Sequence, residues 1–206
     1  MTDDRQAHWQ GVYGSKREAE VSWFQQSPSI SLEMIQASGC GHRDPIVDIG
    51  GGASRLVDAL LDHGYEAISI LDISEKALDS AKLRLGPRAT QIHWVVADVT
   101  TWDPSQHYAV WHDRAAFHFL TEPAQRAAYG ERLSRAVPKG GQAIIATFAL
   151  DGPERCSGLP VVRYDAEALG RTLGSAFDLL ETRMDNHKTP GGSIQKFQFS
   201  RFRKNR

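Results

Sequence analysis

Three consecutive glycines, Gly50-Gly51-Gly52, follow a short apolar segment, Ile46-Val47-Asp48-Ile49, and precede a helical pattern with Leu56, Val57, Leu60 and Leu61 on one face. A short strand that is apolar on both faces belongs inside a parallel sheet. Glycine at its carboxyl end lets the backbone turn tightly and approach a ligand closely. In an open α/β sheet the binding crevice lies at this place. Taken alone, the turn is equally compatible with a plain strand-to-helix connection.

The alternation continues along the chain. Ala67 to Leu71 reads as a second strand, and Ser74 can cap a helix carrying Ala77, Leu78, Ala81 and Leu85 before Gly86-Pro87 ends it. Ile92 to Ala97 is the third strand and Tyr108 to His112 the fourth. Thr121 and Pro123 open a helix that reaches Ala136, and Pro138-Lys139-Gly140-Gly141 turn into a fifth strand, Gln142 to Ala149. Asp165 caps a short helix through Leu173. Phe177 to Met184 and Ser193 to Arg203 form a closing pair around Thr189-Pro190-Gly191-Gly192. Strands separated by helices predict a mostly parallel sheet with helices on both faces. The closing pair, joined by a turn rather than a helix, is expected to be antiparallel. Ahead of this pattern, residues 1–40 read as a helical, aromatic-rich segment with Trp9, Tyr13, Trp23 and Phe24. The expected division is an N-terminal helical lid over 1–40 and a ligand-binding domain over 41–206.

Composition removes several alternatives. The 206 residues carry 24 Lys+Arg against 25 Asp+Glu, a net charge of −1, which speaks against a nucleic-acid coat or a polybasic membrane binder. With 41% apolar residues the chain is not generally disordered. Its longest nearly apolar run, Ala143 to Leu150, is far short of a membrane span. The start, Met1 to Gln6, is polar and carries no export signal, so a cytoplasmic protein is expected, monomeric or homodimeric. Cys40 and Cys156 stand alone, no C-x-x-C exists, and the eight histidines have no metal-ligand spacing; no metal is expected.

Three carboxylates sharpen the glycine turn into a site. Asp72 follows the second strand, where it can accept both hydroxyl hydrogens of a ribose. Asp98, with Val99 after it, ends the third strand beside the same crevice and can accept from an adenine amino group. Asp48 stands just before the glycines. For each aspartate alone a capping or turn role is the simpler reading; all three at strand ends point to a nucleoside-containing ligand. The dinucleotide fingerprint needs a third glycine at position 55, which is Arg55, so a nicotinamide oxidoreductase is disfavoured.

The ordered set Asp48-Ile49-Gly50-Gly51-Gly52-Ala53-Ser54, Asp72, Ala97-Asp98-Val99 and Pro138-Lys139-Gly140-Gly141 resembles the class I S-adenosylmethionine-dependent methyltransferases over residues 44–203. Ser54, where family members often have glycine, is a mild departure. The resemblance implies an α/β Rossmann-like sheet of seven strands in the order 3-2-1-4-5-7-6 with strand seven antiparallel. It implies S-adenosyl-L-methionine as cofactor, with Gly50 and Gly52 along the methionine part, Asp72 on the ribose, and Asp98 with Val99 at the adenine. Asp48, Gly51, Ile73 and Trp23 complete the candidate set. A second, weaker resemblance, carried by His8-Trp9, Tyr13, Val21-Ser22-Trp23-Phe24 and Asp113 to His118, is to the elongation-factor lysine methyltransferase branch; here only the first acid of that branch's Asp-Lys-Gly-Thr-x-Asp is kept, as Asp113, and His118 replaces the last.

The acceptor should lie over the end of strand four, which places Asp113, Arg114 and His118 as catalytic candidates. His118 and His112 are candidate bases because imidazole titrates near neutrality, although a hydrogen-bonded structural role suits each. Arg114 can hold an anionic substrate or pair with Asp113. Cys156 falls on the loop after strand five, where substrate contacts often lie. The aromatic residues of the N-terminal segment can cover the site and face a sulfonium cation. The expectation is a small-molecule methyltransferase acting on a thiol, amine or carboxylate. The alternatives are a protein-lysine methyltransferase and a non-catalytic nucleoside-binding module.

Overall fold

The computed structural model describes residues 2–206; residue 1 of the N-terminal segment lies outside the described residues. Seven strands form one sheet: β1 (Ile46–Ile49), β2 (Ile68–Asp72), β3 (Ile92–Val96), β4 (Val110–Arg114), β5 (Gln142–Phe148), β6 (Phe177–Lys188) and β7 (Ile194–Lys204). Their order is β3-β2-β1-β4-β5-β7-β6. Neighbours from β3 to β5 are parallel, and β7 runs antiparallel to both β5 and β6. This is the order and the direction reversal expected from the sequence. A short antiparallel ribbon, Arg155–Cys156 with Leu159–Pro160, stands apart from the sheet.

Among the described residues six α-helices accompany the strands: α1 (Thr2–Ser15), α2 (Ser29–Ala37), α3 (Leu56–Asp62), α4 (Glu75–Leu85), α5 (Pro123–Ala136) and α6 (Ala166–Leu173). Period-two alternation divides the sheet's side chains between two cores. Ile46, Ile68, Ile70 and Ile144 face Met34 and Ile35 of α2, Leu56 and Leu60 of α3, and Leu78 of α4. Val47, Ile49, Leu71 and Ile145 face Tyr129 and Leu133 of α5 and Leu169 of α6. Each centre strand therefore buries both faces, which is why β1 reads as continuously apolar apart from Asp48. Local signals set the helix ends. Ser74 accepts from the Ala77 amide (3.3 Å) and Asp165 from the Ala168 amide (2.7 Å), as their positions predicted. Among the described residues no helix is long and apolar enough to cross a membrane.

Several strand boundaries differ from the sequence reading. The fourth strand was expected over Tyr108 to His112, but β4 runs from Val110 to Arg114. Its polar end is legitimate because it pairs on both sides, Ile49 opposite Asp113 on β1 and Ala146 opposite Arg114 on β5. The closing strands extend beyond the expected limits, β6 to Lys188 and β7 to Lys204, since an edge strand tolerates the charged residues Asp185 and Lys188.

Candidate active site

The carboxyl ends of β1, β2 and β4 open onto one cavity. Asp72 and Ile73 after β2, and Asp98 and Val99 after β3, line one end. Gly50 lies between them and Arg114, Ala115 and Ala116 at the end of β4. Trp9, Tyr13 and Trp23 come from the N-terminal segment, Phe119 and Cys156 from the loops after β4 and β5.

The glycine turn fits a closely approaching ligand. Gly50 has φ +66°, and a Cβ there would meet the Ala116 Cβ at 2.7 Å. Gly52, at φ +42°, leaves no room for a side chain beside Asp72, whose Oδ2 would stand 2.7 Å from it. Gly51 and Asp48 face a second, adjoining cavity that shares Gly50, Trp23 and Arg114 with the first. Gly52 lines neither cavity and instead lets β2 and α4 approach the turn.

Asp72 is buried, and its Oδ1 accepts from the Ser74 amide at 2.8 Å. Burial, aided by the charge of Asp48, pushes its pKa up to about 7. Asp98 is engaged from two sides. Its Oδ1 accepts from the Thr100 amide and hydroxyl (2.9 and 2.7 Å), and its Oδ2 pairs with Arg5 of α1 at 2.5 Å. Arg5 was not anticipated: a contact across 93 residues leaves no local signal in the sequence.

Helix α1 is tied along this end of the crevice. Besides the Arg5 pair, the Gln6 amide donates to the Ile73 carbonyl (3.2 Å), and Gln10 Oε1 accepts from the Ser74 hydroxyl (3.1 Å). Trp9 packs edge-on against Trp23 and Phe119, with centroids 5.6 and 5.0 Å apart. Glu18 accepts from Arg55 and from Arg84, joining the N-terminal segment to the helix that follows the glycine turn. Arg55, which stands where a dinucleotide fingerprint has glycine, thus has a structural partner.

The catalytic candidates separate. Asp113 is fully buried and does not line the cavity. It accepts from the Ala116 and Phe117 amides (2.9 and 3.1 Å) and from the Tyr129 hydroxyl (2.8 Å), holding the turn after β4; its partner is not Arg114. His118 was expected over the crevice, but it is fully buried and points away. Its Nδ1 accepts from the Phe148 amide at 3.3 Å between the rings of Phe119 and Phe148. Burial, then the Arg114 charge, lowers its pKa to about 3, so it is a very weak base. The chain turns at Ala115, whose φ is +70°, and of the residues that follow Ala116 and Phe119 line the cavity while Phe117 and His118 do not. His112, the other candidate base, is held between Asp48 (2.7 Å) and the Ser31 hydroxyl (2.9 Å), bolting β1, β4 and α2 together.

Arg114 remains at the cavity. Its Nη1 donates to the Trp23 carbonyl at 3.0 Å and its guanidinium lies over the Phe197 ring, 4.5 Å from the centroid. Cys156 is buried on the same side, and burial pushes its thiol up to about 11.

Residues 46–141 match the family described as Methyltransferase domain. Solved structures share the whole architecture. One, from work on the conversion of a disulfide bond into a thioacetal group during echinomycin biosynthesis, is 19% identical, with a TM-score of 0.78 over 98% of this chain and 93% of that one. The N-methyltransferase NodS from Bradyrhizobium japonicum WM9, in complex with S-adenosyl-L-homocysteine, is 13% identical, with a TM-score of 0.74 over 98% and 99%. A SAM-dependent methyltransferase from Anabaena variabilis ATCC 29413 is 14% identical, with a TM-score of 0.76 over 99% and 95%. A search of curated proteins finds no match to the sequence. The chain shares its fold with these methyltransferases, and its residues 46–141 match a methyltransferase domain.

Proposed function

We propose that this chain binds S-adenosyl-L-methionine in the cavity and transfers its methyl group to a small-molecule acceptor in the cytoplasm. One observation carries the reading: a single cavity joins Gly50, Asp72, Ile73, Asp98 and Val99 at one end to Arg114, Phe119 and Cys156 at the other. Asp72 would hold the ribose with its Oδ2, the Gly50 backbone would run along the methionine part, and Val99 would pack on the adenine. Asp98 would share its Oδ2 between the adenine amino group and Arg5, which a carboxylate with several lone-pair directions can do. When bound, the cofactor supplies an electrophilic methyl on a sulfonium.

The protein's own contribution is positioning and exclusion of water. Holding two reactants in line can lower the barrier by about 7–11 kcal/mol without a specialised group. Trp9, Tyr13 and Trp23 wall the cavity on the α1 side and present ring faces and edges to a cationic ligand. A small acceptor suits a cavity covered by the chain's own N-terminal segment, and the thioacetal and NodS relatives support reading it among small molecules or modest natural products. The lysine alternative loses its anchor, since Asp113 is consumed internally and supplies no acid for an ammonium. Calorimetry with S-adenosylhomocysteine, followed by a labelled-methyl assay over an acceptor panel, tests the reading. Binding with transfer supports it, binding without transfer to any acceptor favours a nucleoside-binding module, and no binding refutes it.

A further inference from the structure

Arg114 is the one cation at the acceptor end of the cavity, and its side chain is only partly used. Nη1 donates to Trp23, while Nε and Nη2 are buried and donate to nothing among the described residues. An unpaired buried guanidinium is costly unless something completes it. The Phe197 ring beneath it offers a π face but no hydrogen-bond acceptor, and the charged groups around it do not complete it. Asp48 on β1 and Asp185 on β6 lie near enough to act through their charge, yet neither forms an ion pair with it within 4.0 Å among the described residues. Asp48 bonds His112, and Asp185 accepts from Gln25 at 3.4 Å. His187 bonds the Ser22 carbonyl, and the pKa of His118 is itself lowered in part by Arg114.

The same end of the cavity lacks a base. No histidine lines it among the described residues. Asp72 and Asp98 are at the ribose and adenine end, and the Cys156 thiol is held protonated by burial. An amine arriving as an ammonium would find no group to take its proton and would meet two positive charges, the guanidinium and the sulfonium. An acceptor that is already an anion needs no base and is drawn by both.

Building on the methyltransferase reading, we propose that the acceptor is a small apolar thiol, bound and methylated as its thiolate, with the Nε and Nη2 donors of Arg114 stabilising the anion. The thiol proton leaves to bulk water. The thiolate lone pair then forms the S–CH3 bond as the methyl's bond to the sulfonium breaks, and that bond's electrons leave the former sulfonium neutral. Free thiols ionise near pH 8.5. A cation within about 4–6 Å of such a group lowers its pKa by roughly 1–3 units. A carboxylate also arrives ionised, but its oxygens are far weaker nucleophiles toward a methyl sulfonium than a thiolate sulfur.

The test compares 2-phenylethanethiol, 2-phenylethylamine and 3-phenylpropanoate, matched in their apolar part, on the full chain. Calorimetry against the protein with S-adenosylhomocysteine, run in two buffers of different ionisation enthalpy, counts the protons released on binding. The thiol is expected to bind at pH 8 with release of a large fraction of one proton, and in a methyl-transfer assay to be the preferred acceptor. Arg114→Met is expected to abolish the proton release and to lower kcat/KM at pH 7 by tenfold or more, with recovery above pH 9; Arg114→Lys should keep part of both. Preferred methylation of the amine or the acid, thiol binding without proton release, or an Arg114→Met profile like the parent's would overturn the thiolate proposal. If Arg114→Met does not fold, the acceptor panel and proton count on the parent chain decide alone. Failure of S-adenosylhomocysteine itself to bind would remove the methyltransferase reading instead, so the two failures are distinct.

Discussion

Asp72 shows how one residue's surroundings become a measurable pH dependence. Its carboxyl group is buried, its Oδ1 is taken by Ser74, and burial raises its pKa to about 7. The ionised form is the one that accepts two ribose hydroxyls, so the competent fraction falls as pH drops through 7. Cofactor affinity should therefore be about tenfold weaker at pH 6 than at pH 8, as calorimetry with S-adenosylhomocysteine can measure. Asp72→Asn should flatten that profile and weaken binding at pH 8 by about 1.5–3 kcal/mol. A parent profile that is flat over the same range would mean that Asp72 does not meet the ribose. The position of Asp72 was legible because a buried strand followed by a capped helix fixes where the carboxyl end falls. Arg5 was not: its meaning depends on α1 lying beside Asp98, and nothing local encodes that.

At the scale of elements, the end of β4 brings some of the expected residues to the cavity and turns others away. The sequence reading set the acceptor over the end of the fourth strand, residues 111 to 118, and of these Arg114 to Ala116 line the cavity. It also assigned His118 to the site, because residue type was legible and chain direction was not. A positive φ at Ala115, an alanine rather than a glycine, carries no sequence signal. Asp113 then serves as the latch of this element. Asp113→Ala would strand two amides and the Tyr129 hydroxyl in the core and should cost about 2–4 kcal/mol in urea unfolding. A loss under 1 kcal/mol would show that the turn holds without it.

His118 makes a separate prediction in the same element. Its pKa falls from 6.5 in the unfolded chain to about 3 in the folded protein. Between these values the unfolded chain binds the proton, so the imidazole's contribution is fully present above pH 6.5 and is lost as pH falls toward 3. Replacing it by Phe should make the acid limb of stability shallower, by up to about 1.4 kcal/mol per pH unit below 6.5. An unchanged slope in denaturation at pH 4 to 6 would place the proton elsewhere.

For the whole molecule, the binding crevice and the N-terminal segment are one mechanical unit. Arg5, Gln6 and Gln10 of α1 reach Asp98, the Ile73 carbonyl and Ser74, while Glu18 reaches Arg55 and Arg84. The sheet would bury its two cores without α1, whose residues contribute to neither. Helix α1 is thus held outside both cores, by polar contacts at the site's edge and by Trp9 and Tyr13 against Trp23 and Phe119, which places it toward the low-stability end of the fold. A ligand bridging Asp72, Asp98, Trp9 and Tyr13 would tie this helix to the sheet. At a hundredfold excess over its dissociation constant S-adenosylhomocysteine should add about 2.7 kcal/mol to global stability. In a chain of this length that raises Tm by roughly 5–11 °C. In hydrogen exchange the largest gain in protection should fall on the amides of α1, ahead of those in β1 and β4, which already open only with the whole fold. Equal protection across α1 and the central strands would mean that the helix is already as firmly seated as the core. A rise in Tm with no change in α1 would place the ligand away from the N-terminal segment, and Trp9 and Tyr13 would then be packing residues only.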